Sequence, residues 1–195
     1  MGRFRFITYM IGIVLLLSSF NVQKCADALQ KAYEEKDYDA FVDAFPDKYE
    51  DFVNVYYWDN IKNEKMILYD HYVEHLDFLF NSPKVIEGKV LDKLLSLSYN
   101  YIWGADAVSQ VIYETEKLLL EYPNRFTEYF SGKTDEEVIS FIQMALTNIE
   151  TNNSYYLKGY YKLLETYKPY SDRIIKLAKI AFKRAKKACD VLVVY

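Results

Sequence analysis

Glycine and proline are scarce in this chain of 195 residues, which has six Gly and four Pro. An all-β protein needs both residues for its many tight turns, so their scarcity disfavours a β-sandwich or a β-barrel. Cysteine and histidine occur only twice each. A metal site built on the two His would therefore need a carboxylate as its third ligand, and a disulfide could join only Cys25 and Cys189.

The composition is that of a globular protein, with 51% apolar and 27% charged residues. The chain is long enough for one domain with a sizeable core. Tyrosine is abundant, with 20 residues. Tyr is favoured at protein interfaces, but 19 Lys against five Arg also indicates an AT-rich genome, which raises the Tyr content. Both explanations of the Tyr content stay open.

The N-terminal end differs from the rest of the chain. Two arginines precede an apolar run, residues 6–20, and no acidic residue occurs before Asp27. This pattern is typical of an export signal, and the run is short for a membrane span. We expect residues 1–25 to form an export signal or membrane anchor and residues 26–195 to form one helical domain. The protein is then periplasmic or membrane-anchored in a bacterial envelope.

Cys25 ends the segment NVQKC and stands where a bacterial lipoprotein carries its lipidated cysteine. Gln23 and Lys24 depart from the small residues usual before such a cysteine, and no A-x-A cleavage site is present. Lipidation of Cys25, ordinary cleavage and an uncleaved anchor are therefore three open alternatives. Lipidation would leave Cys189 as a free thiol, whereas the other two permit a disulfide in an oxidising compartment.

Charge is distributed unevenly along the chain. Residues 25–170 contain 26 acids against 14 Lys and Arg, a net of −12, whereas residues 171–195 contain two against seven, a net of +5. The acidic body argues against nucleic acid as the main partner. The basic end can dock on the acidic body, bind anionic lipid or form a solvated helix face, and we expect the solvated face.

The four prolines, at positions 46, 83, 123 and 169, are separated by 37, 40 and 46 residues. Because proline suits the first turn of a helix, we expect each to be the first residue of a new helix. Two of them lie in the related phrases FPDKYEDFV and YPNRFTEYF, 77 residues apart. In both, the aromatic residue before proline can pack on the aromatic residue that follows proline by three positions. A period near 40 residues with two helices per interval is used by helical solenoids.

We therefore predict an all-α protein of about nine or ten helices, either stacked helical hairpins in an irregular solenoid-like array or a helical bundle. Ser82 and Asp106 are predicted N-caps, and Thr134 with Glu137 is a predicted capping box. The predicted helices cover residues 46–57, 61–80, 107–122, 123–132, 134–150, 155–167 and 171–191, with a further helix from residue 83 and two short helices before residue 46, joined near 36–37.

The segment EEKDYDAFVDAF, Glu34–Phe45, resembles a tetratricopeptide-type turn, in which an acidic and aromatic pair precedes alanine on the second helix. The segment from Ala26 to about Phe130 is similar to small exported helical proteins of gut-type Bacteroidetes, through KDYDAFVDAFPDKYEDF and its partial repeat YPNRFTEYF. Some of those proteins are thought to act as toxin-neutralising immunity proteins. The resemblance implies an exported helical fold with a protein partner, in its specific form a toxin.

The segment HYVEH has the H-x-x-E-H spacing of inverted zinc peptidases. On a helix, His71 and His75 lie one turn apart and can hold one Zn²⁺, with Glu74 as general base. Peptidases with this motif, however, are much larger mixed α/β proteins. A helix here would have an apolar stripe with both histidines at its edges, so two histidines on a helix flank are the expectation.

Two aromatic clusters are candidates for partner contact. In SYYLKGYYKLLETYKPY, helical spacing places Tyr156, Tyr160 and Leu163 on one face. Leu157, Tyr161 and Leu164 lie on the next face, so one face must be core and the other exposed. The segment YNYIW, at a predicted helix break, is the second cluster. The candidate partner-binding residues are Tyr155, Tyr156, Tyr160, Tyr99, Tyr101 and Trp103.

The closing segment, residues 171–191, is predicted to form a helix with an apolar face and a basic face. Its inward residues are Ile174, Leu177, Ala181, Ala185 and Ala188, and its outward residues are Lys176, Lys179, Lys183 and Lys186. Small alanines allow such a helix to pack close to its neighbour and to cap the array.

Together these features favour a non-enzymatic, exported protein-binding module without a cofactor, with toxin neutralisation as its specific form. We expect a protein partner and a membrane contact through the N-terminal anchor, and no nucleic acid. One alternative is a zinc-dependent hydrolase centred on His71, Glu74 and His75. Another is a structural lipoprotein of the envelope without a discrete partner.

Overall fold

Helices dominate the residues that the computed structural model describes, which are 22–59, 61–99, 101, 106–146 and 153–192. For residues 153–156 and 188–192 it describes the backbone alone. These ranges contain ten α-helices, two short 3-10 helices and one two-stranded hairpin, so the predicted all-α class is confirmed. Within them, no helix combines the length and the hydropathy needed to cross a bilayer.

The elements follow one another along the chain with short connections. They are α1 (22–34), α2 (Tyr38–Ala44), α3 (Tyr49–Tyr56), β1 (Trp58–Asp59), β2 (Glu64–Lys65), a 3-10 helix (Tyr69–His71), α4 (Tyr72–Phe80), a second 3-10 helix (Pro83–Ile86), α5 (Gly88–Leu97), α6 (Ala107–Glu121), α7 (Pro123–Ser131), α8 (Asp135–Ala145), α9 (Asn153–Tyr167) and α10 (Asp172–Leu192).

Alternate helices stack in chain order. α2 packs on α4, α4 on α6, α6 on α8 and α8 on α10. This order is what an array of helical hairpins produces. The array is irregular, because α5 also packs on α8, and α9 packs on both α6 and α10. The last two helices thus close one end of the stack.

Three helix starts are fixed by side chains in the way the sequence indicates. The Asp37 carboxylate accepts from the Ala40 amide at 3.0 Å, which starts α2 after the predicted junction. Ser82 caps the following 3-10 helix by accepting from the Lys84 amide. Thr134 and Glu137 form the predicted capping box at the start of α8. Each cap satisfies amides that have no partner within the helix.

Asp106 is the N-cap residue of α6, as predicted, but its side chain makes no capping hydrogen bond. Its carboxylate instead accepts a hydrogen bond from the Tyr69 hydroxyl at 2.9 Å. The Asp106 backbone has a φ of 56°, in the left-handed region that Asp tolerates better than most residues. The tertiary partner thus outweighs the local cap.

The prediction that every proline begins a helix was correct for two of the four. Pro123 is the first residue of α7, and Pro83 is the first residue of a 3-10 helix rather than an α-helix. It was wrong for Pro46 and Pro169, because α3 begins at Tyr49 and α10 begins at Asp172.

Tertiary and local contacts explain both errors. Buried Lys93 donates to the Phe45 carbonyl at 2.6 Å and pairs with Asp47 at 2.6 Å, which fixes the segment around Pro46 as a connection. At the other end, the Ser171 hydroxyl accepts from the Ile174 amide and caps α10 two residues after Pro169. In both cases a polar side chain sets where the helix begins.

The two related phrases form different junctions. Phe45 is buried and its ring centroid lies 5.9 Å from that of Phe52. Its counterpart Tyr122 is 39% exposed. Since one proline lies in a connection and the other begins a helix, the likeness in sequence is not a repeat in structure.

The predicted helix over 61–80 was wrong in its first half. A hairpin and a 3-10 helix occupy this region, and the α-helix begins only at Tyr72. The Asp59 carboxylate accepts from the amides of Ile61 and Lys62, both at 3.1 Å, and so forms a side-chain turn. Asn63 completes the reversal with a φ of 56°. Asp and Asn are the residues that support such turns, and they outweigh the apolar spacing.

Candidate protein-binding surface

The surface formed by α9 and α10 contains the aromatic cluster that the sequence indicates. Tyr160 of α9 stacks on Phe182 of α10, with ring centroids 4.0 Å apart and planes 20° from parallel. Leu163 and Tyr167 of α9 are buried, and the Tyr167 hydroxyl donates to the Leu119 carbonyl at 3.0 Å. This buried side fixes the orientation of α9, and therefore which of its faces meets solvent.

The solvent face of α9 is apolar as well. Leu157 is 40% exposed and Tyr161 is 58% exposed, whereas Leu163 is buried. The sequence required one of the two faces to be core, and the structure shows that it is the one through Leu163, with Leu164 of the other face also partly buried against the core. Tyr161 also lies against Tyr160, with ring centroids 5.3 Å apart. A half-exposed aromatic pair of this kind is common where proteins bind partners.

Eight exposed lysines lie on α9, α10 and the turn between them, and none of them pairs with a described carboxylate. Before α9, eight of the eleven described lysines are in ion pairs. On α9, α10 and the turn between them, none of eight is. The unpaired, exposed lysines are Lys158, Lys162, Lys168, Lys176, Lys179, Lys183, Lys186 and Lys187. Positive charge is therefore available for a partner on this surface, which we call the α9–α10 surface.

The two arginines of α10 behave differently from its lysines. Arg173 donates to the Phe130 and Lys133 carbonyls at 2.7 and 2.8 Å and to the Asp135 carboxylate at 2.9 Å. Arg184 forms an ion pair with Glu136 and holds the pKa of that carboxyl below its usual value. The basic end thus docks on the acidic first turn of α8 through its arginines, while its lysines form the solvated face that was expected.

The inward face of α10 is confirmed as far as its side chains are described. Ile174, Leu177, Ala181 and Ala185 are all at most 2% exposed. The side chain of Ala188 lies outside the described residues. The four lysines predicted to face outward are all exposed: Lys176, Lys179, Lys183 and Lys186.

The remaining predicted contact residues are only partly described. Tyr99 is 40% exposed, and burial, with Glu137 and Glu136 nearby, raises the pKa of its hydroxyl. Tyr101 is partly buried and its hydroxyl donates to the Gln143 carbonyl at 3.4 Å. The side chains of Tyr155 and Tyr156, and all of Trp103, lie outside the described residues.

A groove between α6 and α9 adjoins this surface and was not predicted. It has a volume of about 290 Å³ and is lined by Tyr113, Glu116, Lys117, Leu120, Glu121, Lys158, Gly159 and Lys162. Partial burial raises the pKa of the Glu116 carboxyl, while Lys162 lowers it. A Cβ atom at position 159 would lie 2.6 Å from the Glu116 Oε1 atom. A glycine inside a helix signals such a close approach, and it is the feature that could have indicated the groove.

His75 is buried in the core rather than on a helix flank, so its predicted position was wrong. Its Nδ1 atom lies 2.9 Å from the Tyr56 hydroxyl, and its buried Nε2 atom has no hydrogen-bond partner among the described residues. The rings of Tyr33 and Phe41 pack on it at 4.8 and 5.4 Å. Burial, followed by the nearby His71, lowers the pKa of His75 to about 4.

The other two residues of the H-x-x-E-H motif remain near the surface. His71 ends the 3-10 helix before α4, and its Nδ1 atom lies 3.5 Å from a Glu74 carboxylate oxygen. The His71 and His75 rings are stacked with centroids 6.0 Å apart. Within the described residues, no three His, Cys, Asp or Glu side chains are grouped to hold a metal ion. The motif here therefore connects a core residue to a surface residue.

Cys25 lies on α1, and its thiol donates to the Ala44 carbonyl at 3.4 Å. Burial is the largest cause of its raised pKa, followed by Asp51. Cys25 forms no disulfide, and the side chain of Cys189 lies outside the described residues. The three alternatives for the N-terminus therefore stay predictions.

No protein family, curated protein or solved structure matches this chain. The resemblance to exported Bacteroidetes proteins consequently stays a prediction.

Proposed function

We propose that this chain is a non-enzymatic, exported protein-binding module that takes an acidic protein partner on its α9–α10 surface. The observation that carries the proposal is the contrast in lysine pairing. Lysines elsewhere are mostly neutralised by neighbouring carboxylates, whereas all eight on this surface are exposed and pair with no carboxylate of the described residues. Unpaired charge of one sign steers an oppositely charged partner and fixes its orientation.

The exposed apolar side chains supply the second part of the interface. Tyr161 and Leu157 are about half exposed beside the lysines, and the Tyr160–Phe182 stack makes the underlying surface rigid. Aromatic side chains lose little conformational entropy on binding and bury a large area. Lysine stems can cover further apolar surface while their ammonium groups reach partner carboxylates.

A folded acidic protein suits this surface better than a nucleic acid does. The net charge of residues 25–170 is −12, so most of the molecule repels an extended polyanion. A folded partner can instead confine its negative charge to a patch that meets only α9 and α10. Because the body is acidic and the α9–α10 surface carries exposed lysines, the molecule has a charge asymmetry that orients an approaching acidic partner.

Toxin neutralisation is the specific form of this function that we propose, and it rests on the resemblance of the segments around positions 45 and 122 to exported immunity-type proteins. We also propose that the N-terminal segment attaches the protein to a membrane. The apolar run at 6–20 supports attachment, and so does the position of Cys25 behind it.

Capture from an envelope extract followed by mass spectrometry tests the proposal. We expect the wild-type chain to retain one acidic protein in near-stoichiometric yield. A variant with Lys176, Lys179, Lys183 and Lys186 all changed to Gln should lose it. The matched control changes four lysines that are in ion pairs, Lys31, Lys62, Lys65 and Lys84, to Gln and should retain it. Absence of a near-stoichiometric partner, or equal retention by both variants, would contradict the proposal.

A further inference from the structure

Ile61 is 93% exposed at the turn of the β1–β2 hairpin. The exposure is built into the turn, because the Asp59 carboxylate accepts from the amides of Ile61 and Lys62 and so fixes the backbone there. An aliphatic side chain held in water costs free energy unless something covers it. Ile61 is therefore held on a structured turn rather than on a loose tail.

The neighbourhood of Ile61 is unusually aliphatic. Among the described residues, the large aliphatic side chains that are exposed are Ile61, Ile67, Val73 and Leu157. Three of these four lie within residues 61–73. The other exposed large apolar residues are tyrosines, and Tyr57 at the base of the hairpin is one of them. Aliphatic exposure is thus concentrated at the hairpin and the segment that follows it.

The hairpin emerges next to the start of the described chain. Val22 and Cys25 of α1 lie on a surface groove of about 340 Å³ that Asn54 and Val55 of α3 also line. The Val55 carbonyl accepts from the Leu68 amide at 2.9 Å, so this groove adjoins both ends of the hairpin segment.

Either form of membrane attachment would bring a bilayer to this part of the molecule. The apolar run at 6–20 ends two residues before Val22, and a lipid on Cys25 would begin in the groove itself. Ile61 lies four residues after Tyr57, which is at most about 13 Å of chain. A bilayer held at the start of α1 is therefore within reach of the hairpin turn.

We propose that the β1–β2 hairpin inserts Ile61 into the lipid bilayer to which the N-terminal segment attaches the chain. This inference rests on the membrane attachment in the proposed function. The residue types favour lipid over protein, because protein hot spots are enriched in Trp, Tyr and Arg rather than in aliphatic residues. Lys62 and Lys65 flank the turn in ion pairs with Asp59 and Asp70, and the exposed Tyr57 suits the membrane interface below it.

The contact acts as a second attachment rather than as the anchor. One interfacial side chain does not hold a protein on a membrane, whereas two weak attachments together give stable binding. With the start of α1 attached and the hairpin inserted, the molecule loses its freedom to rotate about a single point. Its orientation on the membrane is then fixed.

Lipid quenching of an introduced tryptophan tests this inference. The full chain is reconstituted into phosphatidylcholine vesicles, once with ordinary lipid and once with lipid brominated along its acyl chains. Ile61→Trp adds a reporter at the turn, and Tyr113→Trp adds a matched reporter at a residue 48% exposed on α6. The wild-type emission is subtracted from each.

We expect brominated lipid to remove roughly half of the emission added by Ile61→Trp, since interfacial side chains lie about 5–10 Å into the headgroup and acyl boundary. The emission added by Tyr113→Trp should not change. A blue-shifted emission from Ile61→Trp that bromine leaves unchanged would show that protein covers the turn, and would overturn the inference. Failure of the full chain to float with the vesicles would overturn it as well. Partner capture through the α9–α10 surface is measured separately, and Ile61→Asp should leave it intact if that function is correct.

Discussion

Acidification from pH 7.5 to pH 5.0 should destabilise the fold through His75. The imidazole is fully buried, its Nδ1 atom lies at hydrogen-bond distance from the Tyr56 hydroxyl, and its Nε2 atom has no partner in the part of the chain that the structure describes. Burial lowers its pKa from 6.5 to about 4. Between those two values the unfolded chain binds a proton and the folded chain does not. The contribution of neutral His75 to the free energy of unfolding is therefore fully present above about pH 6.5 and is lost as the pH decreases towards 4.

The magnitude follows from the size of the shift. A pKa that falls from 6.5 to about 4, at 1.36 kcal/mol per unit, gives about 3 kcal/mol at pH 4 and a limit of about 3.4 kcal/mol below it. At pH 5.0 the unfolded state is almost fully protonated and the folded state is almost neutral, so the loss is about 2 kcal/mol relative to pH 7.5. That is a large fraction of the stability of a typical domain.

Urea unfolding at the two pH values measures the effect. His75→Gln removes the titrating group and keeps an amide that can bond to the Tyr56 hydroxyl, so its loss between pH 7.5 and 5.0 should be smaller by about 2 kcal/mol. His71→Gln, on the same segment but partly exposed, removes only the smaller of the two causes that lower the His75 pKa, so as a comparison variant it should keep most of the wild-type loss. Carboxylates titrate similarly in all three proteins, so the comparison isolates His75. An equal loss in wild type and His75→Gln would refute the reasoning.

Three further changes probe other parts of the structure. Thr134→Ala removes the capping box of α8 and should lower the free energy of unfolding by about 1 kcal/mol in urea titration; a change within error would mean that the box contributes nothing. Gly159→Ala should raise it by about 0.5 kcal/mol, because the helix gains propensity and the flexible Glu116 side chain can rotate away; a loss above about 1 kcal/mol would show that Glu116 is fixed. Ile61→Asp should leave it within about 0.5 kcal/mol in the absence of lipid, because the side chain has no packing partner to lose, and a larger loss would show that the turn depends on it.

Local signals in the sequence were sufficient where neighbours in the chain determine structure. Thr134 and Glu137 are three residues apart and complete each other's hydrogen bonds, so their box could be predicted. The inward face of α10 follows from its apolar period alone. The class of the fold follows from many such helical segments taken together.

Contacts between distant residues explain what the sequence did not show. The burial of His75 depends on Tyr56, nineteen residues earlier. Pro46 lies outside a helix because of Lys93, forty-eight residues after the carbonyl to which it donates. Part of the lysine pairing has the same character, because Lys84, Lys89 and Lys133 pair with carboxylates more than forty positions away in the chain. The sequence could predict that the lysines of α10 face outward, but not that they lack partners.

The most direct test of binding through the α9–α10 surface is a calorimetric titration of the captured partner at several salt concentrations. Four exposed charges, each worth about 0.3–0.5 kcal/mol, should together raise the Kd roughly 10-fold or more when Lys176, Lys179, Lys183 and Lys186 are changed to Gln. The wild type should also lose affinity steeply with added salt, and the variant should lose it less. An unchanged Kd with an unchanged salt dependence would contradict the role proposed for these lysines.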